Sequence, residues 1–417
     1  MSSLTDHAQA ESRSLFSPLA ARETLPQPSP EKPIADHLFV SNVRFLSMAA
    51  VVFVHCLAKL LPLAGIYDMG LPARILRQSA EFDVIGFFLI SGFLMEESLV
   101  RRNPLEYLSR RLQRILFPWL AWFSLYCLIL LTNNAVTSNV RIDSLSRSIH
   151  LALKVVVDAL YSPYWFVPNL LLSMCVFLAC RRYLFDLHMG AVLLLISLFY
   201  GLNIYLHWIP VDNHTEAWFG FIFYLWLGAL AARNFHALQA GIARIPTLAW
   251  MAMAVLTGLA ALKESGIQVA AGSPMPMNVL RISNQAYSIV IVLMVFKLRR
   301  PAWPRAMNVR TNTFGIYLSH IIILWIFNRI LRSLIHIAPV RQHWSLQAAI
   351  RVCSVLAVFV LVYGSAFLLT QWLLTRSRLR WAVGSFAPKS KTSGQSSHLS
   401  KGLPRTPGED SVPPPLQ

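Results

Sequence analysis

The chain has 417 residues, of which 55% are hydrophobic and only 13% are charged, and its mean hydropathy is +0.52. A soluble globular protein carries about 25% charged residues, so this composition disfavours soluble enzymes, disordered scaffolds and nucleic-acid-binding domains. Basic residues at the cytoplasmic ends of membrane helices account for the net charge of +18, and no nucleic-acid partner is expected. We therefore expect an integral membrane protein that crosses the lipid bilayer several times.

Both ends of the chain lack apolar segments. Residues 1–37 are rich in Ser, Pro and charged residues and contain no signal-peptide core, and residues 381–417 are similar in composition. Such segments bury too little apolar surface to fold. The sequence therefore predicts two disordered cytoplasmic tails on either side of a membrane-embedded domain at 38–380.

Between the tails, ten apolar segments are long enough, or nearly so, to cross the roughly 30 Å hydrocarbon core of a bilayer. Each must be helical, because an isolated strand would leave its backbone groups unpaired in lipid. The predicted fold class is all-α, a polytopic transmembrane helix bundle with about ten spans. The segments lie near residues 39–61, 82–99, 115–132, 165–180, 189–207, 217–233, 247–262, 282–297, 313–334 and 350–374.

The distribution of basic residues predicts the orientation of the bundle. With the N-terminus inside, the inner connections hold 17 Lys and Arg and the outer connections hold 7. This excess places both tails in the cytoplasm. The longest outer connection, at 133–164, has room for an amphipathic segment.

Two ionisable residues stand out in the first span, Arg44 and His55. Eleven residues of α-helix turn through about 1100°, roughly 20° more than three full turns, and rise about 16 Å. Both side chains therefore project from one face, and intramembrane ionisable residues are functional candidates by default. A snorkelling arginine and a packing histidine remain the structural alternative.

Acidic residues and arginines flank the second span. Asp83 lies at its outer edge, and Arg110, Arg111 and Arg114 cluster in the inner loop before the third span. Arginine guanidinium groups match phosphate oxygens, so the cluster is a candidate site for a phosphate-bearing molecule. Its alternative is an ordinary cytoplasmic anchor.

Five segments in order resemble the membrane acyltransferase-3 family. They are Arg-x10-His in the first span, FFLISGFL in the second, R-x-x-R in the next inner loop, YWFVPNLLL at 164–172 and TFGIYLSHIII at 313–323. The resemblance runs from about residue 40 to residue 375. One departure is Ile85, which stands where many relatives have an acidic residue two positions before the FF pair; Asp83 is displaced from that position by two.

The resemblance implies an integral membrane O-acyltransferase, commonly of the bacterial inner membrane. Such enzymes move an acyl group, commonly acetyl, from cytoplasmic acyl-coenzyme A to a hydroxyl of a surface or exported glycan or lipid-linked oligosaccharide. Carried over to this chain, His55 would be the catalytic histidine, as general base or transient acyl carrier, and Arg44 its motif partner. Arg111 and Arg114, with Arg110 beside them, would bind the donor.

Four further side chains are candidates for the substrate pocket. Tyr317 and His320 are three residues apart on one helical face, and Trp165 and Asn169 are four apart. Asp83 is a further pocket candidate. The five cysteines form no pattern with metal-ligand spacing, so no metal is expected.

Two other functions are open from the residues alone. A proton-coupled transporter or flippase could use the same intramembrane ionisable residues, although paired broken helices of an inverted repeat are not evident. A non-catalytic partner in a glycan-assembly complex is the second alternative. Acylation that depends on coenzyme A would separate an enzyme from both.

Overall fold

The computed structural model of the chain describes residues 38–63, 71–99, 103–137, 145–183, 186–211, 213–335 and 344–386. The described part is helical and contains no β-strand. Its α-helices are α1 (Leu38–Leu63), α2 (Leu71–Ala80), α3 (Asp83–Leu99), α4 (Pro104–Thr137), α5 (Leu145–Leu160), α6 (Phe166–Ala179), α7 (Leu187–Leu206), α8 (Ile222–Arg233), α9 (Phe235–Arg244), α10 (Thr247–Ala270), α11 (Ile282–Val295), α12 (Val309–Ile335) and α13 (Trp344–Thr375). Short 3₁₀ turns lie at Pro163–Trp165, Arg181–Tyr183 and Arg380–Val383.

Each of the ten apolar segments predicted from the sequence coincides with a helix over most of its length. Six helices are long and apolar enough to cross a membrane, and a seventh crossing is possible if α5 and α6, bent by 75° at residues 161–162, form one broken span. The helices α3, α8 and α11 have 17, 12 and 14 residues, shorter than a full span. The multi-pass bundle is thus confirmed, and the count of about ten spans stays a prediction.

The helix α1 lies at the centre of the bundle. Of its most apolar 18-residue window, 61% is buried, against 17% for α4. Its first turns contribute Val40 and Val43 to one hydrophobic core, and its middle contributes Met48 and Val52 to another. The helix therefore joins the two cores, and Arg44 lies on it where one core gives way to the other.

Helices α3 and α8 approach each other closely through a reciprocal pair of glycines. A Cβ on Gly92 would lie 1.9 Å from the carbonyl oxygen of Leu225, and a Cβ on Gly228 would lie 1.9 Å from that of Leu89. No side chain fits at either position, so small residues set this helix spacing.

The described C-terminal residues differ from the predicted tail. Trp122 of α4 donates its indole N–H to the carbonyl of Ala382 at 2.9 Å, and Val383 is buried. Gly384 takes φ +72°, where a side chain would be strained, and a Cβ there would lie 2.7 Å from the carbonyl of Arg114. The packed part of the chain therefore continues past the predicted boundary at 380 to residue 386, because these residues bond to α4. Residues 1–37 and 387–417 lie outside the described residues.

Candidate active site

One end of the bundle encloses a cavity of about 600 Å³, here called the arginine cavity, within the size range of small-molecule sites. Its walls come from the first turns of α1, one face of α3 from residue 87 to residue 98, the start of α4, α6, the start of α12 and residues 383–386. Its five arginines are Arg44, Arg110, Arg111, Arg114 and Arg310. No Asp or Glu occurs among the described residues that line it, so the cavity is strongly positive.

Neighbouring groups on α4 orient two of these arginines. The Nε–H of Arg111 donates to the hydroxyl of Tyr107 at 3.1 Å, and its guanidinium lies 5.6 Å from the centre of that ring. Arg110 forms an exposed ion pair with Glu106, one helical turn earlier. The structure thus brings the predicted Arg110, Arg111 and Arg114 together with Arg44, which projects from the central helix.

Arg310 is a member of the cavity that the sequence did not single out. It lies in the first turn of α12 and follows a basic inner connection, where arginines are expected merely as anchors. Its signal in the sequence was its place seven residues, or two helical turns, before Tyr317 of the GIYLSH segment.

The deep wall of the arginine cavity leads into a row of three aromatic side chains. Tyr317 lines the cavity and donates its hydroxyl to the carbonyl of Pro163 at 2.7 Å. The ring of His320 lies 6.1 Å from that of Tyr317, and the ring of His55 lies 5.5 Å from that of His320, centroid to centroid. The row therefore runs from the cavity to the histidine predicted to be catalytic.

The backbone of α12 fixes the hydrogen on the ring of His320. Its Nδ1 lies 2.6 Å from the carbonyl oxygen of Tyr317 and 3.2 Å from that of Ile316. A carbonyl oxygen only accepts, so Nδ1 is the donor and Nε2 is the acceptor in the neutral ring. His320 is fully buried, and its Nε2 has no hydrogen-bond partner among the described residues.

His55 does not line the arginine cavity. It is half-buried and faces His320 on α12, three helical turns from Arg44 on the same helix. The predicted common face of Arg44 and His55 is therefore directed at α12, with the arginine at the cavity and the imidazole beyond its deep wall.

The remaining pocket candidates lie outside the arginine cavity. Trp165 is buried against His214 and Phe221, with ring centroids 5.2 Å and 5.4 Å away. Asn169 is buried and accepts a hydrogen bond from Ser173 at 3.3 Å, and its Nδ2 has no partner among the described residues.

Asp83 is buried at the other end of the bundle, where its carboxylate accepts the backbone N–H of Val84 at 2.7 Å. The nearby Glu81 is buried and pairs with Arg77 at 2.6 Å. These groups do not line the arginine cavity, and Arg77, the partner of Glu81, acts electrostatically on His55 instead.

Comparison with known proteins identifies the chain at the level of the family. The acyltransferase domain of the acyltransferase-3 family matches residues 37–371, which is most of the chain. The chain belongs to this family. Comparison with curated proteins and with solved structures gives no match.

Membership in the acyltransferase-3 family makes the chain a multi-pass membrane acyltransferase that transfers groups other than amino-acyl groups. The matched region contains the whole arginine cavity except residues 383–386 and includes both His55 and His320. Ile85 stands where many relatives have an acidic residue. It is fully buried in the core with Phe88, so this position serves packing in this chain. The described residues contain no group of three or more His, Cys, Asp or Glu that could hold a metal ion.

Proposed function

We propose that this acyltransferase moves a short acyl group, acetyl in the first instance, from cytoplasmic acyl-coenzyme A to a hydroxyl of a surface or exported glycan. The observation that carries the proposal is the arginine cavity, whose deep wall leads through Tyr317 and His320 to His55. The cavity serves the donor, and the His55 end serves the acceptor.

The charge of the cavity suits the donor. Coenzyme A carries a diphosphate and a 3′-phosphate, and arginine binds phosphate oxygens through paired, charge-assisted hydrogen bonds. Five arginines and no carboxylate among the described lining residues favour such a polyanion over a neutral sugar. A lipid headgroup would need fewer cations than this cavity supplies.

The partial exposure of His55 is what a catalytic base requires. A catalytic base needs access to the substrate hydroxyl, and the half-buried His55 has this access whereas the fully buried His320 does not. As the acceptor oxygen attacks the thioester carbonyl, His55 takes the hydroxyl proton. The carbon–sulfur bond then breaks, and the proton passes from His55 to the thiolate of coenzyme A. The products are the ester and free coenzyme A.

Transfer of label in a reconstituted system tests the proposal. The purified full-length chain in liposomes receives radiolabelled acetyl-coenzyme A and the glycan fraction of its source cells, and label in glycan is counted. We expect label with wild type, a fall of roughly 10²-fold or more in His55→Ala, and a raised KM for acetyl-coenzyme A in Arg111→Gln and Arg114→Gln. Succinyl-coenzyme A in a parallel reaction tests the choice of acyl group.

The chain offers a matched control for the arginines. Arg329 and Arg332 have the same spacing as Arg111 and Arg114 but lie near the other end of α12, away from the arginine cavity. Arg332→Gln should leave transfer unchanged. No label in glycan with wild type and either donor would overturn the proposal, and proton flux into the same liposomes would then favour the transporter alternative.

A further inference from the structure

The buried imidazole of His320 has one nitrogen whose hydrogen bonding the structure leaves unused. Its Nδ1–H is held by backbone carbonyls, so Nε2 presents a lone pair inside the bundle without a partner in the described part of the chain. An unsatisfied buried acceptor costs free energy of the order of 1–3 kcal/mol. The only ring within contact of this imidazole besides Tyr317 in the described structure is His55.

We propose that His320 is a positioning residue for His55. After the His55 side chain rotates toward it, Nε2 accepts a hydrogen bond from one ring N–H of His55 with or without substrate, so the other ring nitrogen of His55 is left unprotonated toward the acceptor hydroxyl. This inference rests on the proposed function, because it states how the base of that reaction is oriented.

The geometry permits this bond without movement of either helix. The two ring centroids are 5.5 Å apart and the ring planes are inclined by 35°. The ring of His320 stays bonded to the backbone, and at this separation a rotation of the His55 side chain alone suffices for a ring nitrogen to approach Nε2 within a hydrogen-bond distance of about 3 Å.

The surroundings of His55 favour His320 as its acceptor. The groups that act on His55 electrostatically include His320, Arg77, Lys59 and His214. Arginine and lysine only donate hydrogen bonds, so neither can accept the N–H of His55. Of the two histidines, His320 is the one whose ring contacts that of His55.

The bond strengthens as the reaction proceeds. When His55 takes the proton of the acceptor, its ring becomes a cation, and its hydrogen bond to Nε2 becomes charge-assisted. An interaction that is stronger in the transition state than in the ground state raises kcat rather than lowering KM. Removal of the acceptor should therefore reduce kcat and leave the KM for acetyl-coenzyme A unchanged.

Two variants of His320 separate positioning from packing. His320→Phe keeps the ring and removes the acceptor, and His320→Gln places an amide oxygen near the position of Nε2. We expect kcat for label transfer to fall roughly 10²-fold in His320→Phe, with KM unchanged, and His320→Gln to retain clearly more activity. Equal losses in the two variants, or wild-type kcat in His320→Phe, would overturn the proposal. The matched control is His188→Phe, at an exposed histidine paired with Asp186.

A double variant tests whether His320 acts through His55. In the His55→Ala background, His320→Phe should cause no further loss, because residues that act as one unit are non-additive. A multiplied loss would show that His320 acts independently and would contradict the proposal. If His320→Phe does not yield monodisperse protein, His320→Leu takes its place in both backgrounds.

The reactivity of His55 supplies a readout that does not need transferase activity. Diethyl pyrocarbonate attacks unprotonated imidazole nitrogen, and mass spectrometry locates the product on each histidine. A hydrogen bond accepted from one ring N–H raises the basicity of the other nitrogen, so His320→Phe should slow modification of His55 roughly threefold or more. An unchanged rate would reject the positioning role even if the wild type proved inactive in transfer, whereas an inactive wild type with a slowed rate would reject only the proposed function.

Discussion

His214 lies in the connection between α7 and α8, where its ring packs edge-on against Trp165. Burial, followed by the nearby Arg77 guanidinium, lowers the pKa of His214 from the usual 6.5 to about 3. Between these two pH values the unfolded chain binds a proton that the folded chain does not. The stability associated with the neutral ring is therefore complete above pH 6.5 and is lost as the pH falls toward 3.

Replacing this histidine should flatten the pH dependence of stability. At pH 5 the difference in pKa destabilises the folded wild type by about 2 kcal/mol relative to neutral pH, and His214→Phe removes this contribution while keeping an aromatic ring against Trp165. Thermal unfolding of the purified protein, followed at pH 8 and pH 5, measures the effect. In the control His188→Phe the wild-type pH dependence should persist, and parallel curves for wild type and His214→Phe would contradict the prediction.

Arg310 provides a second test at the scale of the residue. It lines the arginine cavity from α12, whereas Arg110, Arg111 and Arg114 line it from α4. Loss of one charge-assisted hydrogen bond costs about 1.5–3 kcal/mol, so Arg310→Gln should raise the KM for acetyl-coenzyme A roughly tenfold or more with little change in kcat. Steady-state label transfer at varied donor concentration measures both constants, with Arg332→Gln as the control. An unchanged KM would exclude Arg310 from the donor site.

Four of the five arginines of the cavity were predictable from the local sequence, through helical periodicity or close spacing. Helical periodicity places Arg44 on the face of His55, and close spacing groups Arg111 with Arg114. Arg310 gave a weaker signal, its place two helical turns before Tyr317, because the basic residues around it are explained by membrane topology. The packing of α12 beside α1 brings it to the cavity. The unpartnered Nε2 of His320 could not be predicted from the sequence either, because it depends on the hydrogen bond between Nδ1 and a backbone carbonyl.

At the scale of the element, the reciprocal glycines of α3 and α8 make a sharp prediction. Gly92→Ala and Gly228→Ala each place a Cβ 1.9 Å from a backbone carbonyl oxygen, which must force the helices apart. We expect a marked loss of monodisperse protein on size-exclusion chromatography and a lowered thermal midpoint.

The control for these glycines is Gly364→Ala in α13, where nothing lies within 4 Å of the added Cβ. Replacing a helical glycine by alanine in open space stabilises the helix by about 0.5–1 kcal/mol. Gly364→Ala should therefore fold as well as the wild type or better. Wild-type yield and thermal midpoint in Gly92→Ala would show that the two helices can separate at little cost.

Apolar runs predicted which segments are helical but not where each helix begins or ends. The segment predicted from residue 217 becomes helical only at Ile222, because residues 213–221 form turns that include buried Ala217 and Phe221. Buried residues are apolar whether they lie in a turn or in a helix, so hydropathy alone cannot distinguish the two conformations. The amphipathic segment predicted in the 133–164 connection is α5, which buries Val155 and Ala159, one helical turn apart.

At the scale of the whole molecule, the arginine cavity collects chain segments that the charge distribution had assigned to one side of the membrane. The beginnings of α1, α4 and α12 and the described C-terminal residues all meet there. Their common location is what the predicted orientation requires, since a cytoplasmic donor must reach the arginines from the side that holds the excess of basic residues.

Cysteine accessibility in intact cells tests this orientation. In a background without the native cysteines, we expect Ala271→Cys, in the exposed connection after α10, to react with a membrane-impermeant maleimide added outside. Gln239→Cys, exposed on α9, and Ser385→Cys, at the arginine cavity, should react only after the membrane is permeabilised. Acetyl-coenzyme A should then slow the reaction of Ser385→Cys but not that of Gln239→Cys, because only the former lies beside the donor. Labelling of Ser385→Cys from outside in intact cells would place the arginines on the wrong side for a cytoplasmic thioester.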